Sequence, residues 1–263
     1  HISKKEVENL MEDVADLTLK SDVDIYEDVG LSPPPLNASP NMRRVLQSGI
    51  ANTNGLFENI TRTTANTATK QFEHALDKAW LEVSSGARDY NSAITDAIKD
   101  LSSKGLKAVE YPSGHVDYLD VAVRRAVLTG VNQTALKMQE ELAKEMECDL
   151  VETTAHSGAR PSHSIWQGKV FSLSGKHDKY KKLSASQDDG GAGYGTGEGL
   201  GGWNCRHSFF PFFEGMSPTY TQAELDDMNA KKIPYNGKML TEYEASQRQR
   251  QIERNIRKYK REY

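Results

Sequence analysis

Two short stretches hold most of the side chains in this sequence that could do chemistry. The first is His156-Ser-Gly-Ala-Arg160-Pro-Ser-His163-Ser-Ile-Trp166-Gln-Gly168, and the second is Gly201-Gly-Trp203-Asn-Cys205-Arg206-His207. Together they carry three of the seven histidines, one of the two cysteines and two of the three tryptophans. Imidazole nitrogen and cysteine sulfur are donors that suit zinc. His163, Cys205 and His207 are therefore candidate metal ligands, His156 is the candidate fourth, and the cofactor for such a set is a structural zinc. Cys205 and His207 lie two apart, so an extended backbone sends both side chains to one face. Four ligands of this kind would clamp two extended segments where the aliphatic core is thin. The two-residue spacing common in zinc ligand pairs is absent. The competing reading is a turn-rich knot in which the same side chains hydrogen-bond backbone carbonyls.

The same residues admit a catalytic reading. Cys205 beside His207 or His163 would make a thiolate–imidazole pair. His156, Arg160, His163, Arg206 and His207 would suit acid–base cleavage of a phosphodiester, the work of a nuclease. Against this, neither stretch contains an Asp or Glu to orient an imidazole, and the candidate nearest the second stretch is Glu198. No Gly-x-Ser-x-Gly nucleophile turn occurs either. The glycine-rich run Gly190–Gly202 resembles a phosphate cradle only in composition. A true cradle follows a strand and opens a helix, whereas this run leads into Trp203-Asn-Cys205. It is expected to be a flexible loop that lets Trp203 reach the core and pack on Trp166.

The elements that must position these residues follow from periodicity. Val7, Leu10, Met11, Val14, Leu17 and Leu19 predict a helix over 4–28. Leu31-Ser-Pro-Pro-Pro35 breaks it and predicts an extended linker over 31–40. Helix resumes over 41–84, where Phe72, Leu76, Ala79, Trp80 and Val83 form an apolar stripe. Its Thr- and Asn-rich middle, Thr61–Thr69, has low helix propensity and needs tertiary or partner contacts. A further helix is predicted over 89–104. Lys107–Tyr111 and Val116–Leu119 flank Pro112-Ser-Gly114 and predict a hairpin. The strongest helix spans about 119–147, with Val123, Val127, Val131, Ala135, Met138, Leu142 and Met146 on one face. Strands follow at 148–154 and 206–213, then helices at 222–230 and 240–263. The fold class is α+β. A mainly helical region, 1–110, with its Pro-rich linker near 31–40, precedes a compact α+β domain with a small sheet, 111–263.

Composition narrows the function classes. The formal net charge is -4, so the chain as a whole is no generic polyanion binder. The sign is uneven, however, with ten Lys and Arg against four Glu from Lys231 to Tyr263. Two cysteines make no disulfide framework, and reduced thiols are expected. No apolar run is long enough for a membrane span, so no membrane partner is expected. Without an initiator Met or signal peptide, the sequence reads as cut from something longer.

Several long words resemble the phage minor capsid protein 2 family. They are Val121-Ala-Val-Arg-Arg-Ala-Val-Leu-Thr-Gly-Val-Asn132, Glu152–His163, Trp166-Gln-Gly-Lys-Val-Phe171, Gly199–His207 and Tyr243-Glu-Ala-Ser-Gln-Arg-Gln-Arg250. A more distant similarity is to Mu F-like head morphogenesis proteins of tailed bacteriophages. On that pattern, His163, Cys205 and His207 fall on cysteine positions that look metal-binding. Arg160 and Gly202 fall where further ligands would be expected and neither can serve, so His156 would have to substitute. The resemblance implies a structural, non-enzymatic virion protein, present in several copies inside the phage head near the portal vertex. It implies assembly in the host cytoplasm. The implied partners are the portal and/or major capsid protein, with packaged DNA as a further contact of the basic C-terminal helix. Related bacterial modules fused to toxin domains keep the effector nuclease as the alternative.

Overall fold

The computed structural model describes residues 4–84, 89–104, 107–110 and 116–262. The turn Pro112-Ser-Gly114 of the expected hairpin lies outside them, as do the side chains of Leu76, Trp80 and Val83 in the expected stripe. The fold is α+β. The elements run α1 (Lys4–Asp28), a 3-10 turn (Leu36–Ala38), α2 (Pro40–Ser84), α3 (Tyr90–Lys104), β1 (Lys107–Glu110), β2 (Val116–Tyr118) and α4 (Leu119–Glu145). There follow β3 (Leu150–Thr153), α5 (Pro161–Ser164), β4 (Val170–Ser172), β5 (Phe209–Pro211), α6 (Gln222–Met228), β6 (Ile233–Tyr235), β7 (Lys238–Leu240) and α7 (Glu242–Glu262). No described helix is long and apolar enough to cross a membrane.

The chain forms two compact units, one of His1–Asn54 with Val127–Ser246 and one of Gly55–Ala126 with Gln247–Tyr263. Each unit combines segments from both sides of residue 110. α1 and the start of α2 belong to the unit that holds the sheet, with Tyr26 edge-on to Phe213 and Asp22 bonded to Gln139.

In the first unit, β3 is the central strand of a three-stranded antiparallel sheet, between β4 and β5. Val151 sits opposite Phe171 on one side and Pro211 on the other. Being covered on both faces, all four β3 residues are buried. Glu152 is thereby buried, and its carboxylate accepts from the Thr219 amide and hydroxyl. The hydrophobic core joins Leu136 of α4 to Val151, Trp166, Phe171, Leu183, Ala192, Leu200, Cys205 and Phe209.

α1 buries Val7, Met11, Ala15, Leu19, Asp22 and Tyr26. The spacing of four and three is helical, but the face is narrower than expected. Leu10 and Leu17 are exposed at 42% and 70%. Ser39 caps α2, its Oγ accepting from the Met42 amide, with Pro40 at the first helical position. The same hydroxyl donates to Glu145 at the end of α4. The expected extended linker thus ends in a short 3-10 turn and a cap.

α2 and α4 carry the same word, Gly-x-x-x-Thr, as Gly49–Thr53 and Gly130–Thr134. They meet antiparallel through it. A methyl group on Gly49 would lie 2.1 Å from Thr134 Oγ1, and one on Gly130 would lie 2.4 Å from Thr53 Oγ1. Each glycine makes room for the other helix's threonine.

α4 is also tied to α1. Gln139 Nε2 donates to both carboxylate oxygens of buried Asp22, at 3.2 and 3.0 Å, and Gln139 Oε1 accepts from Ser208 Oγ at 2.7 Å. Burial pushes the Asp22 carboxyl from 3.8 up to about 7, against the lowering effect of its Gln139 and Ser21 hydrogen bonds.

In the second unit, β1 pairs antiparallel with β2 as expected. The described buried side chains of α2 and α3 there are Ile60, Ala75, Ala79 and Ala93.

Gly130→Ala should lower stability by about 1–3 kcal/mol through overpacking. Thr53→Ala should restore it, because Thr53 Oγ1 is buried with no hydrogen-bond partner. The double variant gains about 1 kcal/mol of helix propensity over the glycine. Urea unfolding of the four chains of this cycle measures the coupling.

Asp22 holds its proton more tightly in the fold than in the unfolded chain. Its contribution is therefore full below pH 3.8, falls as pH rises, and is lost by about pH 7. Asp22→Asn should be the more stable chain at pH 8, by up to about 4 kcal/mol. The gap should narrow toward pH 4, and urea unfolding at the two pH values measures it.

Candidate functional site

The first stretch leaves β3 through Thr154, passes His156 and enters the single turn of α5. Arg160 precedes this turn in extended backbone and Pro161 starts it. The His163 amide bonds the Arg160 carbonyl, and the Trp166 and Gln167 amides bond the His163 carbonyl. Gly168, at φ +65°, then turns the chain into β4. The second stretch is held from α4. Asn132 Nδ2 donates to the Cys205 carbonyl and Gln133 Nε2 to the Gly201 carbonyl. Asn204, at φ 54°, makes the bend that delivers Cys205 and His207.

Three of the four expected ligands come together. His163 Nδ1 lies 3.4 Å from His207 Nδ1 and 3.8 Å from Cys205 Sγ. Cys205 Sγ lies 3.7 Å from His207 Nδ1, so the two residues do share a face. Both imidazoles are 1% exposed and Cys205 is 8% exposed. His156 lies beside this trio rather than within it, its ring stacked on that of His207 at 4.3 Å. Trp166 covers the group from another direction, 4.7 Å from the His163 ring and 4.8 Å from that of His207.

Backbone partners fix the tautomers. The Glu198 carbonyl can only accept, so His163 Nε2, 2.8 Å away, carries a proton. The His156 amide can only donate, so the Gln167 atom facing it is Oε1. That oxygen also meets His207 Nε2 at 3.0 Å, which must therefore be the donor. Each neutral ring is left with a bare lone pair on Nδ1, and the two lone pairs face each other. Burial, with smaller contributions from the neighbouring Arg and His charges, pushes His163 down to about 4 and His207 down to about 3. Burial raises the Cys205 thiol, opposed in part by hydrogen bonds with the Gly201 and His207 backbone and, less, by Arg160 and Arg206. The metal-free group is thus a neutral thiol and two neutral rings, the reverse of an activated thiolate–imidazolium pair.

The other expected residues fall apart. Arg206 is exposed, alternating with its buried neighbours. Arg160 reaches the Trp203 carbonyl. Glu198 takes part through its backbone oxygen, and its side chain is exposed. Trp166 does not pack on Trp203. Trp203 is 59% exposed, its ring lying over Gly197, where a methyl group would come within 2.8 Å of it.

The glycine-rich run is a backbone knot held by its own amides, with the Leu200 amide on the Ala192 carbonyl and the Trp203 amide on the Gly197 carbonyl. Gly199 is required by contact, since a methyl group there would lie 2.1 Å from the Gly193 carbonyl oxygen. The knot presents the Glu198 carbonyl to His163. Sequence reasoning passed over Gln167, Asn132 and Gln133, neutral amides without a chemical signature of their own.

Comparison with known proteins places this geometry in context. The family model described as Phage minor capsid protein 2 matches residues 1–263. A structural protein of Lactococcus phage LL-H is 28% identical over 243 residues, which is 88% of this chain and 61% of that protein. The chain therefore spans about three fifths of that relative's length. No solved structure matches.

Gly199→Ala should cost about 2–3 kcal/mol, because the obstructing atoms are backbone. Gly195→Ala, with open space around it at φ +89°, should cost only the left-handed backbone strain of about 1 kcal/mol. Urea unfolding separates the two.

Proposed function

The chain belongs to the phage minor capsid protein 2 family, and from that premise we propose that it is a structural component of a tailed-phage virion. In this reading it sits in the head near the portal vertex in several copies. Part of α2 meets the portal or major capsid subunits. One observation carries this docking role. Between Ile60 and Ala75, no residue of α2 is buried. The same segment holds Thr61, Thr63, Thr64, Thr67 and Thr69, residues of low helix propensity. A helix draws most of its stability from packing of one face, and here that face, Thr63, Thr64, Thr67, Ala68 and Gln71, is only half-buried, so a partner surface along this segment would complete its cover. Phe72, 56% exposed, is the large apolar side chain placed on it.

The structural role is favoured over the nuclease. His163 and His207 are buried and depressed, and Arg206 is on the exposed side of its segment. A phosphodiester cannot reach both imidazoles without opening the core.

Mass spectrometry of purified virions and proheads should find the chain, and antibody labelling in electron micrographs should mark one vertex of the head. Absence from every particle would end the virion reading. Labelling spread over all vertices would end the portal placement. Phe72→Asp should reduce incorporation into particles by about tenfold or more, as loss of one interface anchor does.

A further inference from the structure

We propose that His163 Nδ1, Cys205 Sγ and His207 Nδ1 bind one zinc-class divalent cation that pins the His156–Gly168 stretch to the Gly201–His207 stretch. The three donor atoms lie within 4.8 Å of one another, all on buried residues. Zinc–nitrogen bonds of about 2.0–2.1 Å and zinc–sulfur bonds of about 2.3 Å, set at tetrahedral angles, separate ligand atoms by about 3.3 Å for N···N and about 3.6 Å for N···S. The observed separations are 3.4 Å for the nitrogen pair and 3.7 and 3.8 Å for the two nitrogen–sulfur pairs. These are the edges of one face of such a tetrahedron.

Lone-pair direction supports the same assignment. Backbone groups set the proton of each ring on Nε2, as the Glu198 carbonyl and the His156 amide show through Gln167. Both Nδ1 atoms therefore offer lone pairs to one point. The single thiol proton of Cys205 can be shared with only one of them. A buried acceptor without a donor is costly, and two acceptors 3.4 Å apart repel each other. A cation in place of the thiol proton satisfies all three donors at once. An imidazole that donates its outer N–H to a fixed oxygen is the usual support for a metal-bound histidine. Both rings have that support, one from a backbone carbonyl and one from a fully buried amide.

The fourth corner of the tetrahedron is open to a further ligand. His156 Nδ1 is 2.8 Å from the Ser157 carbonyl, which can only accept, so the lone pair of this ring is on Nε2. That nitrogen is buried with no hydrogen-bond partner. With its ring stacked on His207, His156 is placed to close the shell by a side-chain shift. The set is then one cysteine and three histidines, which suits zinc.

The test uses the full chain. Elemental analysis after reconstitution with zinc should give about one metal per chain, and less than about 0.1 overturns the proposal. The wild-type chain should melt higher by roughly 5 °C or more with zinc than after chelation, and no difference overturns a structural role. This arm needs no variant to fold. Cobalt(II) in place of zinc should give intense tetrahedral visible bands and a thiolate charge-transfer band. Cys205→Ser should lose the charge-transfer band, and its persistence overturns the sulfur ligand. His156→Ala should keep metal binding but weaken it by about tenfold or more, and unchanged affinity overturns His156 as the fourth ligand.

Discussion

A buried imidazole must find an acceptor for its N–H, and the two central histidines meet that requirement in ways that organise everything around them. For His207 the acceptor is Gln167, whose Oε1 also takes the His156 amide. One side-chain oxygen thus joins the end of the first stretch to its beginning and both to the second stretch. For His163 the acceptor is the Glu198 carbonyl. A backbone carbonyl can be aimed only by shaping the chain around it, and that explains the crowded glycines at 199 and 202. A methyl group on Gly202 would lie 2.2 Å from the Gly197 oxygen. The glycine-rich run is therefore dense rather than loose. Its composition reflects backbone passing against backbone, and no phosphate needs to be invoked.

The platform for this arrangement is α4. One turn of it supplies Asn132 and Gln133 to the second stretch, and the next supplies Leu136 to the core and Gln139 to Asp22 and Ser208. A helix that serves a site, a sheet and two other helices cannot have a simple apolar stripe. Ala135, Met138, Gln139, Leu142 and Ala143 are buried at the spacing of an ordinary helical face, and buried Leu136 widens it. The Gly-Thr crossing with α2 brings the backbones close on another side of the same helix.

Much of this was legible in the sequence where one residue type implies one geometry. The long helices followed from apolar spacing, and the shared face of Cys205 and His207 followed from period two. Val170–Ser172 escaped notice because three residues are too few to show alternation. The β6–β7 hairpin had a clear signal that went unread. Asn236-Gly237 sits between Tyr235 and Lys238, which are directly paired, and both turn residues have positive φ. The Trp166–Trp203 pairing failed for a different reason. Aromatic type says only that a ring covers apolar surface, and Trp203 finds that surface on Gly197. The acceptors of the histidines were beyond reach, because a carbonyl has no identity in a sequence and a glutamine has too many roles.

The two units differ in how they are held, and this difference bears on how such a chain could work. The first unit is closed by its own side chains, with the carboxylates of Asp22 and Glu152 and the ring of His163 given named partners. In the second, four small or aliphatic side chains are the described buried set, and a long stretch of α2 has none. Marginal elements are held by whatever covers them. A protein that must join a larger assembly gains from this division. The first unit closes its core by itself, while the half-buried segment of α2 is what a partner would cover in the proposed role. The chemistry-rich residues then belong to the unit that must not change. That is where a structural metal adds most, and where a catalytic group, which needs access, would be least useful.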